Sequence, residues 1–436
     1  MHYLLFTIGT YGDLHPYLGL GAALRRRGHQ VTLMTNPQYA SIVQEFGLES
    51  VSVGDPISLE SYLDGPDFFD PSRSWKLALD VCYLGPMRET FQAIEARYIA
   101  GKTMAVSAPW GFGARIAQEK LGVPLVTVHL EPHNIRSMHD TGVMPPPMFL
   151  GDGVPRWLKR LQFFLADRLF IDRRLSCEVN AFRKELGLVP VKRFLCEWWN
   201  SPQKMIGLYP DWLVPRQPDW PAQLRLAGFP FWDRNNTTES PVAEVESFLS
   251  SGEPPLIFTA GSNNLHASQF FATAVACCQQ LDRRAVLVTK HAEQVPKNLP
   301  DTIRRFAYVP FSELLPHAAV LVHHGGAGTS AQALAAGIPQ LVMPTVHGTP
   351  EFAVRLKRLG VAESIKPAAF RKAAVTKALR RLLHSEQVAQ RCDKYKEQVR
   401  NENGIEQAVD WIEQFAQTTR RQRQDLSGKR TAKKIA

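Results

Sequence analysis

The chain has 436 residues, 44% of them apolar, and a formal net charge of +10. That length suits two domains with proper cores, and no apolar run is long enough to span a bilayer. Of the charge, +6 lies in the last seventeen residues, RRQRQDLSGKRTAKKIA, where seven Lys/Arg face one Asp. The folded body is therefore only mildly basic, and nucleic-acid binding is not expected.

The chain opens with YLLFTI, a continuous apolar run typical of a strand covered on both faces. GTYGDLH is a Gly-rich turn, and Pro16 suits the first turn of the following helix. Tyr17, Leu20 and Leu24 carry helical spacing, Gly28 stops the helix, and QVTLMT is the next strand. Positive charge follows the apolar run instead of preceding it, so a buried βαβ unit is read here, not a leader peptide. TMAVSAP, a helix over ARIAQEKLG, and PLVTVHLEP repeat the rhythm.

Residues 140–205 break it. MPPPMFLGDGVP is followed by aromatic-rich helical segments, RWLKRLQFFLADRLFI and CEVNAFRKEL, and by Trp198-Trp199. Core packing is the default reading of these aromatics; an apolar acceptor pocket or an interfacial surface is the alternative. LAGFPFWDRNNTTESP is polar and lacks periodicity, as linkers do. The α/β rhythm then restarts with PLIFTAGSN, SQFFATAVACCQQL, AVLVTK, RFAYVP, FSELLPHA, AVLVHH and QLVMPT, and GIEQAVDWIEQF closes it with Ile405, Ala408, Val409 and Ile412 on one face. The expected class is α/β with two doubly wound domains in series: 1–230, a linker at 231–254, 255–417, and a basic, disordered tail at 418–436. A solvated tail is the plain reading; attraction to an anionic membrane surface is the alternative. The cysteines are scattered without CxxC or zinc spacing, which fits a reduced, cytoplasmic protein, at the inner membrane surface if the tail binds lipid.

Ligands in doubly wound sheets bind outside the carboxyl ends of the strands. There, HHGGAGTSAQALAAGIPQ places His323-His324 and three glycines just before a helix expected to begin near Thr329. The first amides of a helix lack internal partners and carry the positive end of its dipole. Bare glycines let an anion approach them, and His324 and Thr329 can add hydrogen bonds. This describes a phosphate or diphosphate cradle; a tight packing corner that binds nothing is the competing reading. GAGTSA also fits the dinucleotide fingerprint GxGxxA, but it lies late in its sheet and no acidic residue ends the next strand. No P-loop sequence occurs.

VHHGGAGTSAQALAAGIPQLVMP resembles the donor-binding signature of family 1 nucleotide-sugar glycosyltransferases of the two-domain GT-B fold. Bacterial rhamnosyltransferase catalytic subunits and macrolide, glycopeptide and sterol glycosyltransferases share it. GTYGDLHP, FTAGSN, FAYVPFSELLP and LAGFPF stand in the expected order. The resemblance covers about 1–55 and 220–365.

It implies an inverting transfer from a nucleoside diphosphate sugar, UDP- or dTDP-linked, to a hydroxyl of an apolar acceptor: a lipid, sterol, polyketide or phenol. Asp13 matches the position of the family's base, with His15 as the rival; Asp13 as a helix cap is the competing structural role. The resemblance puts the diphosphate on His324, Gly326, Ala327, Gly328 and Thr329, with Ser262 on the facing loop. Tyr308 is expected to stack on the base, against core packing as the alternative, Val309 to read its edge, and Gln332 to bond the ribose. No DxD occurs, so neither metal nor cofactor is expected. Many members carry Asp-Gln on the sugar where this chain has Gly348-Thr349. Glu351 and His347 are nearby substitutes, and a deoxysugar suits the departure better than glucose. A non-catalytic nucleotide-sugar-binding partner subunit is the alternative function.

Overall fold

The computed structural model describes residues 1–435 except 57–58, 60, 63–64, 71–72, 144–147, 149–150, 152, 233–241, 262–263 and 265, and side chains only as far as 425 at the carboxyl end. Two parallel sheets carry it. The first has the order β3-β2-β1-β4-β5-β6-β7 and the second β10-β9-β8-β11-β12-β13. The strands of the first are β1 (His2–Phe6), β2 (Gln30–Thr35), β3 (Glu49–Ser52), β4 (Thr103–Ser107), β5 (Leu125–His129), β6 (Lys204–Gly207) and β7 (Leu224–Leu226). Those of the second are β8 (Leu256–Thr259), β9 (Ala285–Val288), β10 (Ile303–Phe306), β11 (Val320–His323), β12 (Gln340–Val342) and β13 (Ala362–Ser364). The central strands are buried along nearly their whole length, as continuous apolar runs between two helical layers must be.

Strand order reverses beside β1 in the first sheet and beside β8 in the second. The turns after β1, β8 and β11 therefore open into crevices at the carboxyl ends, where a doubly wound sheet binds its ligand. The helices that matter for these crevices are α1 (Tyr11–Arg26), α2 (Arg156–Ala166), α3 (Ala327–Ala336), α4 (Thr349–Leu359) and α5 (Gly404–Ile435).

Three expectations need correction. Helix α1 begins at Tyr11, not near Pro16, because Thr10 and Asp13 form a reciprocal capping box at its start. Pro16 thus sits inside the helix. The stretch read as a linker contains a helix, Val242–Ser250, whose Val245 packs with Ile257 and Leu321 of the second lobe; residues 233–241 of that stretch lie outside the described ones. The tail is not irregular: α5 runs on to Ile435. Lys and Arg are good helix formers, and the segment has an anchor, since Arg423 donates to the Tyr98 hydroxyl at 2.7 Å and to the Gly122 carbonyl.

Helix α5 returns to the first lobe. Ile405, Ala408, Val409 and Ile412 are buried there, as their spacing predicts, and Ile405 lies against Gly19 of α1. A Cβ on Gly19 would stand 3.1 Å from the Ile405 side chain and 3.2 Å from the Trp232 ring, so glycine sets how closely the helices approach. The Arg27 guanidinium draws in Glu406, Asp410 and Glu413 at 2.5–2.7 Å. The chain's end thereby braces the helix that carries Asp13. Truncating the fully buried Ile412 to Ala is expected to cost about 2–4 kcal/mol in urea unfolding, whereas removing residues after Gln424 should leave the unfolding midpoint unchanged.

Candidate active site

The elbow after β11 is built by glycine and one histidine. Gly325 has φ +94°, and a Cβ there would stand 2.9 Å from the Val342 side chain. His323 is fully buried; its Nδ1 accepts the Gly325 amide at 3.1 Å, so Nε2 carries the proton and donates to Gln340 Oε1 at 3.0 Å. Burial lowers its pKa to about 3, with repulsion from His324 adding to the effect. This neutral, single-tautomer ring fixes the turn. The sequence singled out His324 but missed His323, whose signal was its place at the strand's end.

Helix α3 starts at Ala327, two residues earlier than expected, because Gly326 serves as its N-cap. Among the described residues no side chain caps this end. Gly326, Ala327, Gly328 and Thr329 all reach solvent, and a Cβ on Gly328 would meet only open space. The elbow is therefore open, and its first amides are free to take an anion. Across it lies the His324 ring, held between two glycines: a Cβ on Gly326 would stand 2.7 Å from Nε2, and one on Gly261 2.9 Å from Cε1. Burial pushes the His324 pKa down to about 4, and Nδ1 has no hydrogen-bond partner among the described residues. His324 is thus a neutral donor, and positive potential at this spot comes from the helix dipole.

Tyr308, just past β10, is 40% exposed, so its ring is not core. Val309 beside it is buried against Leu314 and Leu315, leaving its backbone to any reading role. Gln332 is partly exposed on the second turn of α3. Ser262 lies outside the described residues.

In the first lobe, Asp13 is the third residue of α1, not part of the preceding turn. Its Oδ2 accepts the Thr10 amide at 2.8 Å and the Thr10 hydroxyl at 3.0 Å. The cap role and a chemical role share this one side chain, since Oδ1 makes no bond among the described residues. Gly9 makes room: at φ +133°, its Cβ would stand 2.4 Å from Oδ2. Crowding raises the Asp13 pKa to about 7; the Thr10 amide opposes the rise and Glu131 adds to it. Asp13 as a residue is half-buried. Tyr39 donates to the Gly9 carbonyl beside it at 2.8 Å and meets the Tyr11 ring edge-on at 5.2 Å, so the wall at this turn is aromatic. His15, on the next turn, packs its ring against Tyr11 and Trp232 at 5.7 and 5.5 Å.

The lobes meet around residues that sequence reasoning undervalued. Glu131, two residues past β5, lies so close to Gly348 that a Cβ there would stand 2.3 Å from Oε2. His347, at φ +57°, places Nε2 2.9 Å from Ser74 Oγ and 3.3 Å from the Tyr62 hydroxyl. Thr349 spends its hydroxyl inside its own loop, donating to the Val346 carbonyl at 2.8 Å and accepting the Thr345 amide at 2.9 Å. Glu351 is buried against Arg355, which reaches Asp140 of the first lobe at 2.9 Å. Thr349's hydroxyl is thus engaged, whereas Glu351 is held through Oε1 and its buried Oε2 has no partner among the described residues. Glu131, whose charge acts on Asp13, lies against Gly348, and the backbone of the next residue, Thr349, borders Gly325 of the elbow. The loops that carry the two candidate centres are joined across the lobes where Glu131 lies against Gly348.

The chain matches two family models: the glycosyltransferase family 28 N-terminal domain over residues 3–139 and the erythromycin biosynthesis protein CIII-like C-terminal domain over 273–408. It is 30% identical over 434 residues to O-mycaminosyltylonolide 6-deoxyallosyltransferase of Streptomyces fradiae, covering 96% of this chain and 98% of that one. A sterol 3-beta-glucosyltransferase of Candida albicans is 23% identical over 430 residues, 94% of this chain and 27% of a longer protein. Among solved structures, the glycotransferase of kitacinnamycin superposes with a TM-score of 0.72 at 22% identity, covering 95% of this chain and 99% of its own. Glycosyltransferase VinC in complex with DTDP gives 0.67 at 19% identity, covering 96% and 100%. With two facing doubly wound lobes and a full-length relative at this identity, the chain belongs to the family 1 glycosyltransferases of the GT-B fold.

Proposed function

We propose that this glycosyltransferase inverts the anomeric carbon as it moves a sugar from a UDP- or dTDP-linked donor to a hydroxyl of an apolar acceptor, without metal or cofactor. One pairing supports the reading: a carboxyl raised by burial to about 7 on the first lobe and, on the second, a helix start with no side-chain cap among the described residues. In the proposed step, the acceptor oxygen attacks the anomeric carbon from the first lobe and Asp13 takes its proton. The bond from that carbon to the diphosphate oxygen breaks, and the nucleoside diphosphate leaves with the electron pair. The amides of Ala327, Gly328 and Thr329, with the His324 N–H, receive the developing charge as pre-aimed donors. Tyr308 stacks on the base and Gln332 meets the ribose. The aromatic wall around Asp13 suits an apolar acceptor, and the 6-deoxyallosyl transfer named for the Streptomyces relative supports a deoxysugar donor.

In this reading the carboxylate that grips the sugar comes from the first lobe. Glu131 reaches across the space that a side chain at Gly348 would fill. Glu131→Ala is expected to raise donor KM by about tenfold and flatten the preference among sugars, because a charge-assisted bond is lost. Affinity for the bare nucleoside diphosphate, read by calorimetry, should not change; an equal loss there would make Glu131 a loop brace only.

A base must be deprotonated to act, so kcat/KM should rise with pH and level off above about 7, the Asp13 value. Asp13→Asn is expected to lower kcat by about 10²–10⁴-fold and abolish that titration. Because folding raises this pKa from 3.8 to about 7, the wild type loses stability as pH climbs through that window. The variant's melting temperature at pH 8 should therefore equal or exceed the wild type's. Turnover unchanged by the substitution would remove Asp13 from the mechanism.

Gly328→Asp separates an anion cradle from a packing corner. A carboxylate in the first turn stabilises a helix by about 0.3–1 kcal/mol through the dipole. The same charge should weaken nucleoside diphosphate binding by about tenfold or more. Unweakened binding in a folded variant would leave the elbow a packing corner.

A further inference from the structure

Helix α2 and the π-turn after it, Asp167–Ile171, are packed with the wrong side inward for a soluble protein. The side against the body consists of Lys159, Phe163 and Asp167, spaced one turn apart. Lys159 lies 3.5 Å from the Thr141 hydroxyl, Asp167 accepts from Arg136 at 2.6 Å, and the Arg136 guanidinium lies 4.7 Å from the Phe163 ring centre. Two of the three inward residues are ionisable. The outward side carries Trp157, Leu161, Phe164, Leu165, Leu169 and Phe170, between 42% and 68% exposed. A surface helix normally does the reverse. Core packing, the default reading of these aromatics, holds for Phe163, Trp198 and Trp199 but not for this row.

The charges on this face are all of one sign. Arg156, Arg160, Arg168 and Arg173 are exposed among the apolar residues; of the two carboxylates in 156–173, Asp167 is buried, and Asp172 is half-buried and accepts the Phe194 amide at 3.1 Å. No carboxylate among the described residues pairs with any of these four. A patch for a neutral apolar partner would not need four guanidinium groups. Trp, Phe and Leu on one face, interleaved with Arg, suit a helix lying in the headgroup layer, where apolar side chains enter the acyl boundary and guanidinium groups meet phosphate.

We propose that the outward face of α2 and its π-turn docks this protein onto an anionic lipid surface. The proposal is independent of the catalytic assignments, since none of these residues is among those assigned to the base, the diphosphate, the nucleotide or the sugar. The test is co-sedimentation of the full chain with vesicles of equimolar phosphatidylcholine and phosphatidylglycerol, with phosphatidylcholine vesicles in parallel. The chain should pellet with the anionic vesicles and release as salt rises. The triple variant Trp157→Ser, Phe164→Ser, Leu165→Ser should lose about tenfold or more in binding, at unchanged melting temperature and unchanged turnover of a water-soluble acceptor. Arg160→Gln with Arg168→Gln should weaken binding and flatten its salt dependence. Wild type left in the supernatant overturns the proposal. So does a serine variant that binds as well as wild type, including the case in which truncation after Gln424 abolishes binding and so makes the basic tail the anchor. A serine variant that changes only the sedimenting mass, with vesicle binding intact, assigns the face to a second copy instead.

Discussion

A helix that begins on glycine, directly after a buried strand, leaves its first amides facing outward with nothing to cap them. Everything at this crevice follows from how that end is kept bare. Gly325 supplies the positive φ that turns the chain, Gly326 starts the helix without a side chain, and His323 locks the turn in one tautomer. His324 then lies between Gly261 and Gly326, where its own burial keeps it neutral. The elbow's attraction for an anion is thus a backbone property. It does not titrate, and it survives the loss of water that weakens a histidine's charge.

The opposite wall solves a different electrostatic problem with the same crowding. Burial that neutralises His324 also lifts the Asp13 carboxyl toward neutrality. The two donors from Thr10 pull the other way and hold the value near 7. Thr10 therefore does more than start a helix: it fixes one carboxylate oxygen, Oδ2, and leaves Oδ1 without a bond among the described residues. The position of that group depends in turn on α1, which the last helix of the chain clamps through Ile405 and the Arg27 cluster. Residues almost four hundred positions apart thereby set one site.

The strands and the elbow were legible in the sequence because continuous apolar runs and glycines have few alternative meanings. The errors have physical causes. Pro16, a familiar first-turn residue, points to a later start for α1 than the Thr10–Asp13 capping box sets. Ala327-Gly328 gives no capping signal at all, which displaced the start of α3. The tail's charge density suggested disorder, yet Arg423 anchors it and its residues favour helix. Glu131 and His347 were undervalued because their meaning lies in partners on the other lobe, and no local spacing encodes such pairs. For α2 the sequence leaves core packing and an outward surface both open. A stripe of Trp, Leu and Phe has the same 3.6-residue repeat whether it faces a core or faces out.

That ambiguity was resolved by the polar side of the helix. Lys159 and Asp167 lie one turn either side of Phe163, and each has a partner in the body, Thr141 and Arg136. Burying two ionisable groups costs free energy unless each is bonded, and here each is. The bonds orient the helix and hold it with the apolar side out. If that stripe belonged to the core, a half-turn rotation would bury it and return Lys159 and Asp167 to water. The fold instead keeps the costlier arrangement, with specific partners for both charges. An outward apolar face held this way is built into the packing of the first lobe, on the same lobe as the aromatic wall around Asp13.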